Sequence, residues 1–442
     1  MALVGTAWAQ SAPPIPQARP ATPAAVKAAA KPKTLPHRPG LATVSKSTLP
    51  SYDQGTYRRI QATMLSYSAL QVRGGWPALP ASAKLEPGSQ GPEVALLRRR
   101  LAVTDDLAAD KIEGDVFDET LAAALRRFQA RHGLPETGNV GPKTLAALNV
   151  PVEKRIRQLA ATLDRLAELN FSFGQRYVVV NIPATVAEAV DGDKVQHRYV
   201  VVVGKTDRPS PTLTTAITAV NLNPTWTVPL SILKKDIVTK MRKNPNYIAR
   251  MKMRVLDANG AEIDPQTVDW HADRAPHFTV RQDAGPGNAL GALRIDMPNP
   301  HAVYMHDTTH KEHFSIDYRF HSSGCTRVAE VRDLAVWLLA DSPGWSRREL
   351  DAAIAKGPSA TVRLTHKVPV AWVYMTGWVT RDDTVHFRDD IYKHDDINGR
   401  PLIAHVTRPP IVTAARASGF VLQSAEPPAP PAIEQVSYLD SR

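Results

Sequence analysis

His321-Ser322-Ser323-Gly324-Cys325-Thr326-Arg327-Val328 holds the one cysteine of the 442-residue chain, directly ahead of an apolar stretch. From this point Val328, Val331, Ala335, Leu338 and Leu339 follow helical spacing, which predicts that Cys325 lies near the first turn of a helix. Backbone N–H groups at such a start, with Arg327 nearby, would lower the thiol pKa and favour the thiolate, the reactive form of cysteine. Gly324 lets the backbone approach a substrate closely. The plainer alternative is a small buried apolar thiol.

A cysteine nucleophile needs a base that takes its proton and returns it to the leaving group, and histidine is the usual choice near neutral pH. His301, His306, His310, His313 and His321 are the candidates. His306 follows the apolar run Ala302-Val303-Tyr304-Met305, a predicted strand that would aim its side chain. Tyr304, one strand period earlier, is expected on the same face, either lining a pocket or packed as a core tyrosine. His321 stands four residues before the cysteine, whereas His301, His310 and His313 fall in polar turns and read as solvated. A zinc site built on His306 and His310 is disfavoured, because i, i+4 spacing converges only on a helix and Asp307-Thr308-Thr309 reads as a loop.

Outward from this centre the pattern is β. Tyr177–Ile182, Tyr199–Val203 and Thr214–Leu222 are β-branched runs separated by Gly, Asp and Pro, with a hairpin turn at Asp191-Gly192. Strand character returns over 362–379 and crosses Thr380-Arg381-Asp382-Asp383 into Thr384–Phe387. The stretch from Pro229 to about Gly285 breaks the rhythm and reads as a large insertion that could cover a site.

Upstream the period becomes helical. Ser89 or Gly91, with Pro92 in the first turn, opens one helix through Leu97 and Leu101, Asp118 can cap a second carrying Leu121, Ala124, Leu125 and Phe128, and the segment Gly138–Leu145 begins a third ending near Leu148. A longer helix follows, with Val152, Ile156, Leu159, Leu163 and Leu166 on one stripe. At the start, Met1–Gln10 is a short apolar run closing on Ala7-Trp8-Ala9. It resembles the end of a secretory signal peptide without a basic flank, and predicts export. Residues 11–50 and the segment after Pro409 are rich in Ala and Pro, as in tethers.

The formal net charge is +11 and the pI about 9.6, which suits an anionic partner but does not name it. Aromatic residues make up 6% and no nucleic-acid-binding signature is present, so an anionic wall or membrane surface is the better expectation. No run reaches the roughly 18 apolar residues of a membrane span. A lone thiol in an exported chain has no internal partner and is flagged as reactive.

Two resemblances organise these observations. Gly88-x-x-Gly91-x-x-Val94-x-x-Leu97, Phe117-Asp118-x-Thr120, Phe128-Gln129, Gly133-Leu134 and Gly138-x-x-Gly141-x-x-Thr144 together resemble the three-helix peptidoglycan-binding domain of cell-wall enzymes. Tyr304-Met305-His306-Asp307-Thr308, followed by Ser322-Ser323-Gly324-Cys325-Thr326-Arg327-Val328, is similar to the active-site signature of bacterial L,D-transpeptidases of the YkuD type. Asn223-Pro224-x-Trp226-x-Val228-Pro229, Asp269-Trp270, Pro286-Gly287-Asn288-x-Leu290-Gly291 and Met297-Pro298 resemble the long branch of that family, with its scaffold, inserted peptidoglycan-binding domain and capping subdomain. Ser323 stands where many members carry His, as in the long branch, and Thr326 replaces a common aliphatic residue.

The resemblance implies an α+β fold: a β-rich L,D-transpeptidase catalytic domain, a small three-helix peptidoglycan-binding domain and a helical scaffold. The expected division is a signal remnant at 1–9, a flexible linker at 10–50, a scaffold segment at 51–84, the three-helix domain at 85–149 and a connecting helix at 150–175. The catalytic domain follows at 176–365 with its insertion at about 229–285, then C-terminal strands at 366–400 and a disordered tail at 409–442. The resemblance makes Cys325 the nucleophile and His306 its base, with N–H groups around Gly324 and Cys325 as an oxyanion hole. Ser323, Arg327 and Tyr304 are the further candidates for oxyanion or substrate contacts; Arg327 holds either a substrate carboxylate or its own loop. No metal or organic cofactor is implied. The implied activity is 3→3 cross-linking of peptidoglycan stem peptides in the periplasm, with glycan as a further partner. L,D-carboxypeptidase action, attachment of a protein amine to the wall, or non-catalytic wall binding are the alternatives. A papain-like protease would place its Cys before its His, the reverse of the order here.

Overall fold

The structure, a computed structural model, describes residues 44–272 and 277–396. The signal-like segment, most of the linker and the tail after 409 lie outside the described residues. Residues 44–50, expected in the flexible linker, are instead held on a strand. The Arg198 side chain donates to the carbonyls of Ser45, Ser47 and Leu49, and the Val195 N–H donates to Thr48 O at 2.8 Å.

Five helices come first: α1 (Thr56–Val72), α2 (Pro92–Ala102), α3 (Glu119–Arg131), α4 (Pro142–Leu148) and α5 (Val152–Glu168). Pro92 and Pro142 open their helices at positions where a missing N–H costs nothing. The Asp118 carboxylate accepts the Leu121 N–H at 2.8 Å and caps α3. Leu97, Leu101, Leu121, Leu125 and Phe128 close a separate small core. The α5 stripe packs with Ile60, Met64 and Tyr67 of α1 against Val179, Val373 and Trp378.

The strands that follow are β1 (Arg176–Asn181), β2 (Val186–Asp191), β3 (Lys194–Gly204), β4 (Leu213–Leu222) and β5 (Trp226–Thr227). Then come α6 (Leu230–Ile232), a π-helical turn (Leu233–Ile237), α7 (Val238–Lys243), α8 (Tyr247–Arg250), β6 (Met253–Leu256), β7 (Glu262–Ile263) and β8 (Thr279–Gln282). The chain continues through β9 (Leu293–Asp296), β10 (Met305–His306), β11 (Phe320–Ser322), β12 (Thr326–Val328), α9 (Val331–Leu338), α10 (Arg347–Lys356), β13 (Ala360–Val373), β14 (Gly377–Val379) and β15 (Val385–Phe387).

The main sheet runs β11-β3-β12-β10-β9-β4-β13-β1-β2, and β2 also pairs with β3. One face packs on α9 and α10 through Val331, Leu334, Leu338 and Leu350; the other carries α1 and α5. The fold is thus α+β, with a helical domain and scaffold around a β-rich body. Strands β5, β8, β6 and β7 form a second sheet with its own core of Val228, Leu233, Ile237, Met241, Ile248, Val255 and Val280. The C-terminal strands expected over 366–400 are the end of β13, β14 and β15, but the expected boundary at 366 falls inside a strand. β13 runs unbroken across that position, pairing with β4 on one side and in parallel with β1 on the other.

Candidate active site

Strands β10 and β12 run parallel, placing Met305 beside Thr326 and His306 beside Arg327. The Thr326 N–H donates to the Tyr304 carbonyl at 3.1 Å, which carries the alignment back by one residue to Tyr304 and Cys325. Side chains alternate along a strand, so Met305 and Thr326 are sealed in the interior while Tyr304, Cys325, His306 and Arg327 share the other face.

Cys325 therefore directly precedes a strand, not a helix. Thr326 and Val328 are core-facing strand residues, and α9 begins only at Val331, after Glu330 at φ 50°. The expected dipole at the sulfur is missing, and so is the expected low thiol pKa. Burial pushes the Cys325 thiol up to about 11, against hydrogen bonds from the Tyr304 backbone and hydroxyl and the positive charges of Arg327 and Arg294. Burial likewise pushes His306 down to about 3, helped by Arg327, while its hydrogen bond to the Asp307 carbonyl opposes the shift. Both groups are neutral at pH 7.

Because a carbonyl only accepts, the His306 contact with Asp307 O fixes the proton on Nδ1 and leaves Nε2 as the basic nitrogen. Asp307 is in turn anchored. Its carboxylate accepts the Thr308 N–H at 2.8 Å and the Ala292 N–H at 3.0 Å and pairs with Lys311.

The turn before Cys325 is tied down from within. Ser322 Oγ donates to the Cys325 carbonyl and accepts the Gly324 N–H at 3.2 Å, with Gly324 at φ 117°. The Gly324 N–H is thus occupied, contrary to its expected place in an oxyanion hole. The Cys325 N–H, beside the sulfur, has no acceptor among the described residues and is free for that role. Ser323 is exposed, and its hydroxyl accepts from Arg208 at 3.1 Å.

Tyr304 touches both sides of the site. Arg294 lies 5.4 Å over its ring, and its hydroxyl, whose pKa burial raises, is influenced by Cys325 and by Trp226 at the root of the second sheet. Arg327 Nη1 lies 3.2 Å from His313 Nδ1, and its buried Nε has no partner among the described residues. His313, expected to be a solvated loop residue, is half-buried and stacks on His321 at 4.8 Å. Asp307, Trp226 and Arg208 were missed as site residues. The Asp directly after His306 was the one local signal, while the other two reach the site only through long-range packing. Among the described residues no group of three or more His, Cys, Asp or Glu side chains is placed to hold a metal ion.

Residues 175–370 match the family model described as "L,D-transpeptidase catalytic domain", and residues 90–148 match the "Putative peptidoglycan binding domain". A "Putative L,D-transpeptidase" of Haemophilus influenzae is 33% identical over 220 residues, covering 49% of this chain and 44% of the relative, so the match spans less than half of that protein. Among solved structures, an L,D-transpeptidase from Xylanimonas cellulosilytica is 16% identical, covering 67% of this chain and 98% of that one, with a TM-score of 0.23. One from Stackebrandtia nassauensis is 14% identical, covering 59% and 90%, with a TM-score of 0.25.

Proposed function

Since residues 175–370 belong to the L,D-transpeptidase catalytic-domain family and residues 90–148 to a peptidoglycan-binding one, we propose that this protein forms 3→3 cross-links between peptidoglycan stem peptides. The observation that carries the proposal is the shared face of β10 and β12, with Cys325, a free Cys325 N–H and the basic Nε2 of His306. A cell-wall or periplasmic location accords with both domains, and export would follow the signal-like start. No helix among the described residues is long and apolar enough to cross a membrane.

In this mechanism Cys325 Sγ attacks the carbonyl between the third residue of a stem tetrapeptide and its terminal D-Ala. The thiol is neutral at rest, so its proton passes to His306 Nε2 as the C–S bond forms. The Cys325 N–H faces the developing oxyanion, a contact of a kind typically worth about 3 kcal/mol of barrier. His306 then gives the proton to the departing amine of D-Ala, leaving a thioester. The amine of a second stem peptide attacks that thioester; its C–N bond forms as the C–S bond breaks, and the proton returns to the sulfur. The unpartnered buried Nε of Arg327 supports a role for it in holding a substrate carboxylate.

The test is intact-protein and product mass spectrometry with a disaccharide tetrapeptide and the Cys325→Ala variant. The expected result is a Cys325-dependent acyl adduct, D-Ala release and cross-linked dimers. Trimmed tripeptide without dimers would make the enzyme a carboxypeptidase. Folded protein with neither adduct nor D-Ala release would leave only wall binding.

A further inference from the structure

Residues 205–212 join β3 to β4 and touch three parts of the molecule at once. A Cβ on Gly204 would lie 2.3 Å from the Arg208 carbonyl, so the loop folds back against the strand it leaves. Ser210 Oγ accepts the Gly204 N–H at 2.9 Å and donates to Gly324 O at 2.7 Å. The Lys205 N–H donates to Ser322 O at 3.1 Å, and the Tyr392 hydroxyl donates to Gly204 O. The loop thus grips the Ser322–Cys325 turn while being held itself.

Arg208 extends this grip to the second sheet and its helices. Its Nη1 donates to Ser323 Oγ at 3.1 Å, and both terminal nitrogens donate to the two oxygens of Asp236, Nη2 to Oδ1 at 2.9 Å. Asp236 lies in the π-helical turn Leu233–Ile237, a helical irregularity often found at functional sites. The arginine side chain is 14% exposed and the aspartate 31%, so the pair is better shielded than a surface ion pair. A planar fork that spans a carboxylate and a hydroxyl transmits orientation in a way a flexible lysine would not.

We propose that Arg208 is a positioning residue: through Asp236 on one side and Ser323 on the other, it couples the seating of the cap, the second sheet with its helices, to the geometry of the Ser323–Gly324–Cys325 turn. The consequence for acyl transfer rests on the transpeptidase reading; the coupling itself does not. With the cap seated, the turn holds the Cys325 N–H toward the reacting carbonyl and limits access to the sulfur. With the link cut, the turn loosens.

The coupling is tested with Arg208→Gln, Asp236→Asn, Ser323→Ala and the Ser323→Ala/Asp236→Asn double variant. The first readout is the rate of Cys325 alkylation by iodoacetamide, which needs no enzymatic activity; the second is the split of kcat and KM for D-Ala release. Arg208→Gln and Asp236→Asn are expected to speed alkylation about fivefold and to lower kcat about tenfold, with KM changed less than twofold. Among the described residues Arg208 is the side chain that hydrogen-bonds both Ser323 and Asp236, so the double variant should change alkylation no more than Asp236→Asn alone. Multiplicative effects in the double variant, or parental alkylation rates in Arg208→Gln and Asp236→Asn, would overturn the proposal. Should Arg208→Gln fail to fold, the Ser323 and Asp236 variants, which keep Arg208, decide it. A parent protein that releases no D-Ala defeats the transpeptidase reading, and the alkylation cycle still decides the coupling.

Discussion

At the scale of single residues, the neutral state of His306 has a consequence for stability. Its folded pKa, about 3, lies below its unfolded value near 6.5, so between these limits the unfolded chain binds a proton that the native protein refuses. Stability therefore rises with pH across that window and is lost as pH falls through it. His386, also lowered to about 3 by burial, and His132, lowered well below its ordinary value, act in the same direction. Each group contributes a slope of up to about 1.4 kcal/mol per pH unit. Urea midpoints should fall steadily from pH 7 to pH 4.5. His306→Asn, whose amide can still donate to Asp307 O, should make that fall shallower; an unchanged slope would show that His306 is not buried neutral. Cys325 works at the alkaline end. Its raised pKa contributes stability that is present below about pH 9 and lost as pH rises toward 11, and Cys325→Ala should lack that loss.

At the scale of elements, the position of His306 depends on the loop between β8 and β9. Gly291 has φ 62°, and a Cβ there would fall 2.5 Å from the carboxyl of Asp307, whose backbone carbonyl holds His306. Gly291→Ala should cost about 2–3 kcal/mol, combining left-handed strain with displacement of a buried hydrogen-bonded carboxylate. Under the proposed transpeptidase function it should also lower acyl transfer. Gly344 provides the contrast: its φ is 83°, but open space surrounds it. Gly344→Ala should cost only about 1 kcal/mol of backbone strain and leave turnover unchanged. Thermal melts and D-Ala release on both variants separate strain from loss of anchoring. The short strand β12 makes a related point. Its three residues fall within a period that also fits a helix, and only pairing of Arg327 with Val202 and of His306 with Arg327 makes it a strand.

At the scale of the whole molecule, the three-helix domain is docked on the β14–β15 hairpin. Arg131 pairs with Asp106, both under 10% exposed, and its Nη1 donates to Val385 O at 3.0 Å. Arg388 returns a hydrogen bond to Arg131 O at 2.9 Å, and His132 stacks between Phe128 at 3.9 Å and Phe387 at 5.8 Å. On another side Lys143 pairs with Asp317 at 3.0 Å, in the loop leading to β11. Asp106→Asn leaves Arg131 charged and buried without its counter-ion, which should destabilise the three-helix domain, and with it the Arg131 contact to Val385, by about 3–5 kcal/mol. Limited proteolysis read by mass spectrometry should then release the segment around 85–149 faster than in the parent. The helices of that domain and the stripe of α5 were legible in the sequence, because apolar period, capping residue and proline entry are local signals. Cys325 stands out in the sequence as the one cysteine, after Ser-Ser-Gly, whereas residue chemistry left both His306 and His321 as candidate bases and only the resemblance to the L,D-transpeptidase signature chose His306. Only the tertiary structure decided that Cys325 directly precedes a strand, that burial raises its thiol pKa, that its N–H rather than that of Gly324 lacks an acceptor among the described residues, and that Arg208 bonds both Asp236 and Ser323. Each of these depends on partners far away in the chain, on pairing between strands or on burial, and local propensity is too weak to encode them.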